Sequence, residues 1–163
     1  KCLEDAERVI PLEGKMKEFQ TVLFATDFSE SSDFAFQYAY SVAKKYSARL
    51  LILHVISEPV DLRGFYVPHL SFEKLEEEIA AGAQKMMEKF CREHVRDYEN
   101  YETFIIPGIP YNEIIDKAVE QSADLIVMGT HGRAGLDHML FGSTAEKVIR
   151  KSPIPVMTIR IRE

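Results

Sequence analysis

The residues best suited to chemistry in this chain are Gly129-Thr130-His131-Gly132, nine further residues, then Gly142-Ser143-Thr144. They follow the apolar run Leu125-Ile126-Val127-Met128 and precede a helical pattern over Ala145 to Lys151. A strand, a glycine-punctuated loop and a helix start bring backbone N–H groups together on one phosphate. Gly129 and Gly132 are suited to positive φ and leave room for a phosphate against the backbone. Gly142 serves the same end at the helix entrance, where free amides and the helix dipole favour negative charge. Ser143 and Thr144 add hydroxyl donors. One glycine alone reads as a turn, and Ser143 alone as a helix cap. Together, at this spacing, they point to a nucleotide.

Asp27 follows the first apolar strand, where an acidic side chain can accept from ribose hydroxyls or an adenine amino group. Its alternative role is a helix cap, for which Ser29 and Ser31 are better placed. His131 lies inside the glycine loop and can donate to a phosphate, although a lone loop histidine is more often solvated than catalytic. Arg133 is read as an exposed arginine, His54 as a hydrogen-bonded residue of a buried strand, and the Glu76-Glu77-Glu78 run as a solvated helix face. No residue is assigned a catalytic role, and no set of side chains reads as a metal site.

These residues need elements to hold them. Thr21 to Ala25 reads as a first strand closed by Thr26-Asp27, and Asp33 to Tyr46 as a helix with Phe34, Ala35, Tyr38, Ala39, Val42 and Ala43 on one face. Leu50 to Ile56 is a continuous apolar run, the pattern of a strand covered on both faces. Residues 57–70 carry Pro59, Gly64 and Pro68 and read as a loop. A long amphipathic helix follows from Phe72 to Asp97, opened by Ser71 with Glu73. Then come a strand over Glu102 to Ile106, a turn at Pro107-Gly108, a helix over Tyr111 to Gln121 and a strand over Asp124 to Met128. A helix near Thr144 to Lys151 and a strand over Val156 to Ile161 complete the order. Strands alternating with helices imply right-handed crossovers and a parallel, doubly wound α/β sheet in one domain. Its ligands sit at the carboxyl ends of strands, where the strand order reverses. Thr26-Asp27 and the glycine loop both leave such ends.

The chain is 46% hydrophobic and 28% charged, ordinary values for a globular domain. A net charge of −6 argues against a nucleic-acid backbone as partner. Cys2 and Cys91 form no metal or redox spacing. No apolar run reaches the roughly 18 residues of a membrane span and no signal-peptide pattern is visible, so a cytoplasmic protein is expected. Residues 1–18, interrupted by Pro11 and Gly14, read as an extension with a helix over Leu3 to Val9; residues 19–163 form the nucleotide-binding domain.

Thr26-Asp27-Phe28-Ser29, Leu53-His54-Val55, Pro107-Gly108-Ile109-Pro110 and the stretch from Gly129 to Arg160 resemble the universal stress proteins over about residues 17–162. The pattern G-x2-G-x9-G-[ST] marks the ATP-binding branch of that family, and its spacing is met in full. The resemblance implies a five-stranded parallel sheet in the order 3-2-1-4-5 with helices on both faces. It implies that Ala25, Thr26 and Asp27 border the adenosine and that Val55 contacts adenine. Met128, Gly129, His131, Gly132, Gly142, Ser143 and Thr144 then hold ribose and phosphates. Ala25 departs from the family, which often has proline there, at a cost in rigidity and in no polar contact. The family's members commonly dimerise through their last strands, and Val156, Ile159 and Ile161 make an edge suited to that.

The expected function is therefore an adenine-nucleotide sensor or regulator in a stress response. Its ligand is ATP or AMP, with any Mg²⁺ carried on the phosphates. Ligand-dependent ordering of residues 129–144 would shift a surface or a homodimer equilibrium. The alternatives are a slow ATP hydrolase, for which no Walker lysine is present, and a nucleotide-independent chaperone or interaction protein. A nicotinamide dehydrogenase is disfavoured because no G-x-G-x-x-G follows the first strand.

Overall fold

Side chains of the first strand, β1 (Thr21–Thr26), alternate between two apolar layers. Val22 and Phe24 enter one core, Leu23 and Ala25 the other, and all four are buried. A strand of this kind requires cover on both faces. The computed structural model describes residues 18–57, 72–130 and 142–161, and its remaining elements supply that cover. They are α1 (Glu30–Tyr46), β2 (Arg49–Ser57), α2 (Phe72–His94), β3 (Tyr101–Gly108), α3 (Pro110–Glu120), β4 (Leu125–Gly129), α4 (Ser143–Lys151) and β5 (Val156–Ile159).

The strands pair in parallel in the order β3-β2-β1-β4-β5, as the resemblance implies. α1 and α2 close one face, where Phe24, Phe36 and Phe90 pack at centroid distances of 4.9–6.0 Å. α3 and α4 close the other through Ile114, Ala118, Ala145 and Val148. In β2, Leu50, Leu51, Ile52 and Leu53 are all fully buried, which accounts for their unbroken apolar run. The Asp124 carboxylate accepts from the N–H groups of Gln20 and Thr21 at 2.8 and 3.1 Å, tying the start of β1 to the start of β4.

Several boundaries differ from those expected. The expected turn at Pro107-Gly108 is the end of β3, paired with Ile56 and Ser57. Leu50 N–H donates to Asn100 O, so alternate even-numbered residues of β3 face β2 and Pro107 lies on the outer edge. A missing N–H costs nothing there. α1 starts three residues early because Ser29 is its cap, and Ser31 lies within the helix. α2 stops at His94 rather than Asp97, whose carboxylate instead accepts from Tyr40 and Lys44 of α1. β5 stops at Ile159 rather than Ile161, because its last bond to the β4 side is Thr130 N–H to Ile159 O. Residues 1–17, with the helix expected over Leu3 to Val9, lie outside the described residues, as do the Ser71 cap and most of the 57–70 loop.

Candidate functional site

The turn after β1 is built from its own polar side chains. Thr26, nearly fully buried, accepts from Phe28 N–H at 3.0 Å and shares a hydrogen bond with Ser32 Oγ at 3.0 Å. Asp27 Oδ1 accepts from Ser29 N–H at 3.1 Å and from Ser29 Oγ at 2.6 Å, an Asx turn. Ser29 in turn caps α1 by accepting from Ser32 N–H. Phe28 pays with a left-handed backbone, φ 59°, and its ring lies 4.4 Å from that of His54. His54 Nδ1 is 2.8 Å from Thr26 O; a carbonyl only accepts, so Nδ1 carries the hydrogen. Thus Asp27 is both a turn organiser and a residue of the cavity described next. Burial raises the Asp33 carboxyl above its usual range; His94 opposes the shift and Asp27 adds to it.

β4 ends against this turn. A Cβ on Gly129 would stand 2.7 Å from Ser31 Oγ and 3.1 Å from Ser31 O, so glycine lets the first turn of α1 lie closely over the strand end. The expected positive φ is not found there, because close approach, and not handedness, is the constraint. Gly142 likewise has φ −67° and ψ 154°, an extended N-cap conformation. Its N–H donates to Thr130 O at 2.7 Å and is therefore not one of the free amides expected of it. The N–H groups of Ser143, Thr144 and Ala145 lie in the first turn of α4 and have no intrahelical acceptor. The glycine cap offers them no side chain either.

These pieces surround a cavity of about 590 Å³ at the carboxyl ends of β1, β2 and β4. That is within the usual range for small-molecule sites, ~300–1,000 Å³. It lies at the switch point, where the chain leaves β1 for β2 on one side while β4 and β5 occupy the other. Ala25, Thr26, Val55, Met128 and Gly129 line it from the strands, Asp27 from the turn after β1, and Gly142, Ser143 and Thr144 from the entrance of α4. His131 and Gly132 lie outside the described residues, with Arg133, Asp137 and His138. Thr130, inside the glycine-punctuated stretch, lines the cavity as well; sequence reasoning missed Ser32 and one stripe of α2, Ile79, Gly82, Ala83 and Met86. The serines after β1 read from sequence as helix caps. The α2 stripe was visible as helical spacing, but spacing alone does not tell which face overhangs a cavity.

Residues 18–160 match the universal stress protein family. Universal stress protein YxiE of Bacillus subtilis is 34% identical over 147 residues, covering 87% of this chain and 99% of the relative. Universal stress protein MJ0577 of Methanocaldococcus jannaschii is 28% identical over 154 residues, covering 87% and 95% of the two chains. The solved structure of MJ0577 aligns with a TM-score of 0.76 over 88% of this chain and 98% of the other. A universal stress protein solved in complex with cAMP aligns with a TM-score of 0.60 at 25% identity, over 88% and 98%. The sheet order and the extent of these matches agree, and the chain belongs to the universal stress protein family.

Proposed function

We propose that this stress-response protein binds an adenine nucleotide, ATP or AMP, in the switch-point cavity and acts as a nucleotide-dependent sensor or regulator. The observation that carries this reading is the entrance of α4. Three first-turn amides stand at the cavity behind a glycine cap that offers no competing side chain. Such an end attracts phosphate through both its free donors and its dipole. The cAMP complex of a relative with the same fold supports an adenine nucleotide as the ligand class. In this reading Ala25, Thr26 and Asp27 border the adenosine, Val55 meets the base, and Met128, Gly129, His131, Gly132, Gly142, Ser143 and Thr144 hold ribose and phosphates. Among the described residues no group of three or more His, Cys, Asp and Glu is placed to hold a metal ion. A Mg²⁺ ion would be carried by the phosphates.

The regulatory output is a difference in affinity between two states of the protein, since equal affinity shifts nothing. Two copies paired through β5, an edge strand in the sheet order, supply one such equilibrium. No described helix is long and apolar enough to cross a membrane, and the proposed site of action is the cytoplasm. The residue ranges proposed for the two parts are 1–18 for an extension and 19–163 for the domain. The test is to incubate the protein with ATP or AMP, remove free ligand, denature and weigh the released small molecules. Adenine nucleotide near one per chain is the expected result. None recovered with either ligand, and none carried from expression, overturns the reading.

A further inference from the structure

α2 turns two adjacent stripes toward different surroundings. Ala83, Met87 and Phe90 are buried, the latter two in the core with Phe24 and Phe36. The neighbouring stripe, Ile79, Gly82, Ala83 and Met86 at helical spacing, overhangs the carboxyl ends of the strands and lines the cavity. Ile79 and Met86 remain 38% and 37% exposed there, so core packing does not use them fully. Between them, a Cβ added to Gly82 would meet nothing within 4 Å. Neither a close neighbour nor a positive φ requires glycine at this position. An interior helical glycine costs stability relative to alanine, so it stands here at the expense of the helix.

The cavity is also divided in character. α2 packs on β2 and β3, whereas α4 packs on β5 and α3, so the two helices approach the cavity from opposite sides of β1. The α4 side offers amides and hydroxyls. On the α2 side Ile79, Gly82 and Met86 line the cavity together with Ile56 at the end of β2, an apolar wall suited to the face of a flat heterocycle. Methionine and aliphatic side chains pack well against aromatic rings. We propose that Gly82 is a specificity-determining residue of the nucleotide site. The notch left by its missing side chain admits the base, and Ile79 and Met86 flank the ring. This inference rests on the nucleotide-binding reading of the cavity.

The test compares ATP affinity by calorimetry in the wild type, Gly82→Ala and Gly82→Leu, with Tm measured for each. Alanine and leucine are better helix formers than glycine, so both variants are expected to melt at or above the wild-type Tm. Gly82→Leu is expected to weaken ATP at least about tenfold, while Gly82→Ala stays within about threefold of wild type. Gly82→Gln, with similar reach and a polar tip, is expected to give the same loss and serves if the leucine variant is insoluble. Wild-type affinity in both long-chain variants overturns the role of Gly82 while leaving the site reading intact. A wild-type protein that binds neither ATP nor AMP overturns the site reading, and the role of Gly82 with it.

Discussion

Asp27 shows how one side chain serves the turn and the cavity at once. Its Oδ1 accepts from Ser29 N–H and Ser29 Oγ, and the residue lines the cavity. Asparagine keeps an oxygen for the turn and removes the charge. Asp27→Asn is therefore expected to keep the wild-type Tm within a few degrees and to weaken ATP about tenfold, the value of a charge-assisted bond to ribose. Unchanged affinity by titration would leave Asp27 with its turn role alone. Gly129 carries the opposite kind of constraint. Alanine there would push on the backbone of Ser31, so Gly129→Ala is expected to cost about 1–3 kcal/mol in denaturant unfolding. A cost below about 0.5 kcal/mol would show that α1 yields freely. At this scale the sequence was legible in residue type and less so in reason. The glycine types point to positive φ and to room for a phosphate at the backbone, whereas the Cβ space at Gly129 is limited by Ser31 and Gly142 spends its amide on Thr130 O. Both facts depend on neighbours distant in the chain.

Helix ends carry the next level of control. Lys44 Nζ donates to Asp97 Oδ2 at 2.8 Å and Tyr40 OH to Oδ1 at 2.7 Å, linking α1 to the segment after α2. These two bonds, that of Lys44 the stronger, hold the Asp97 carboxyl down to about 2. A carboxyl lowered on folding contributes stability that is present at neutral pH and lost as pH falls from about 4 toward 2. Asp97→Asn is expected to reduce the acid-side loss of Tm in that window, by an amount that shrinks in high salt because the pair is exposed. An identical acid profile for the variant would remove Asp97 from the balance. Asp33 works in the other sense, since burial raises its carboxyl and its protonation on acidification favours the fold. Strand and helix order followed from apolar periodicity, and the fully buried Leu50 to Leu53 run is the clearest case. The end of α2 did not, because Asp97 is fixed by side chains more than fifty residues away.

The described residues form a switch-point sheet with the cavity at the carboxyl ends of its strands and β5 at one lateral edge. Ile126 N–H donates to Pro155 O and Thr130 N–H to Ile159 O, so odd-numbered residues of β5 face β4 and Thr158 N–H faces the outer edge. Proline at that position spares the β4 ladder and removes an outward donor. Thr158→Pro is expected to convert a β5-paired dimer to a monomer by light scattering, with ATP affinity within about threefold of wild type. A dimer that persists would mean that the copies meet elsewhere. A parallel, doubly wound sheet was legible because strands alternate with helices; the strand order rested on the family resemblance, and the α2 wall depended on how one helix is rotated over the sheet. The most direct test of the nucleotide site is calorimetric titration of the wild type and Gly142→Val with ATP and AMP. Valine accepts the extended backbone of residue 142 but crowds the entrance of α4. The expected result is a one-site isotherm for the wild type that Gly142→Val abolishes while helical content is kept. Equal isotherms for the two proteins would contradict phosphate binding at the α4 entrance.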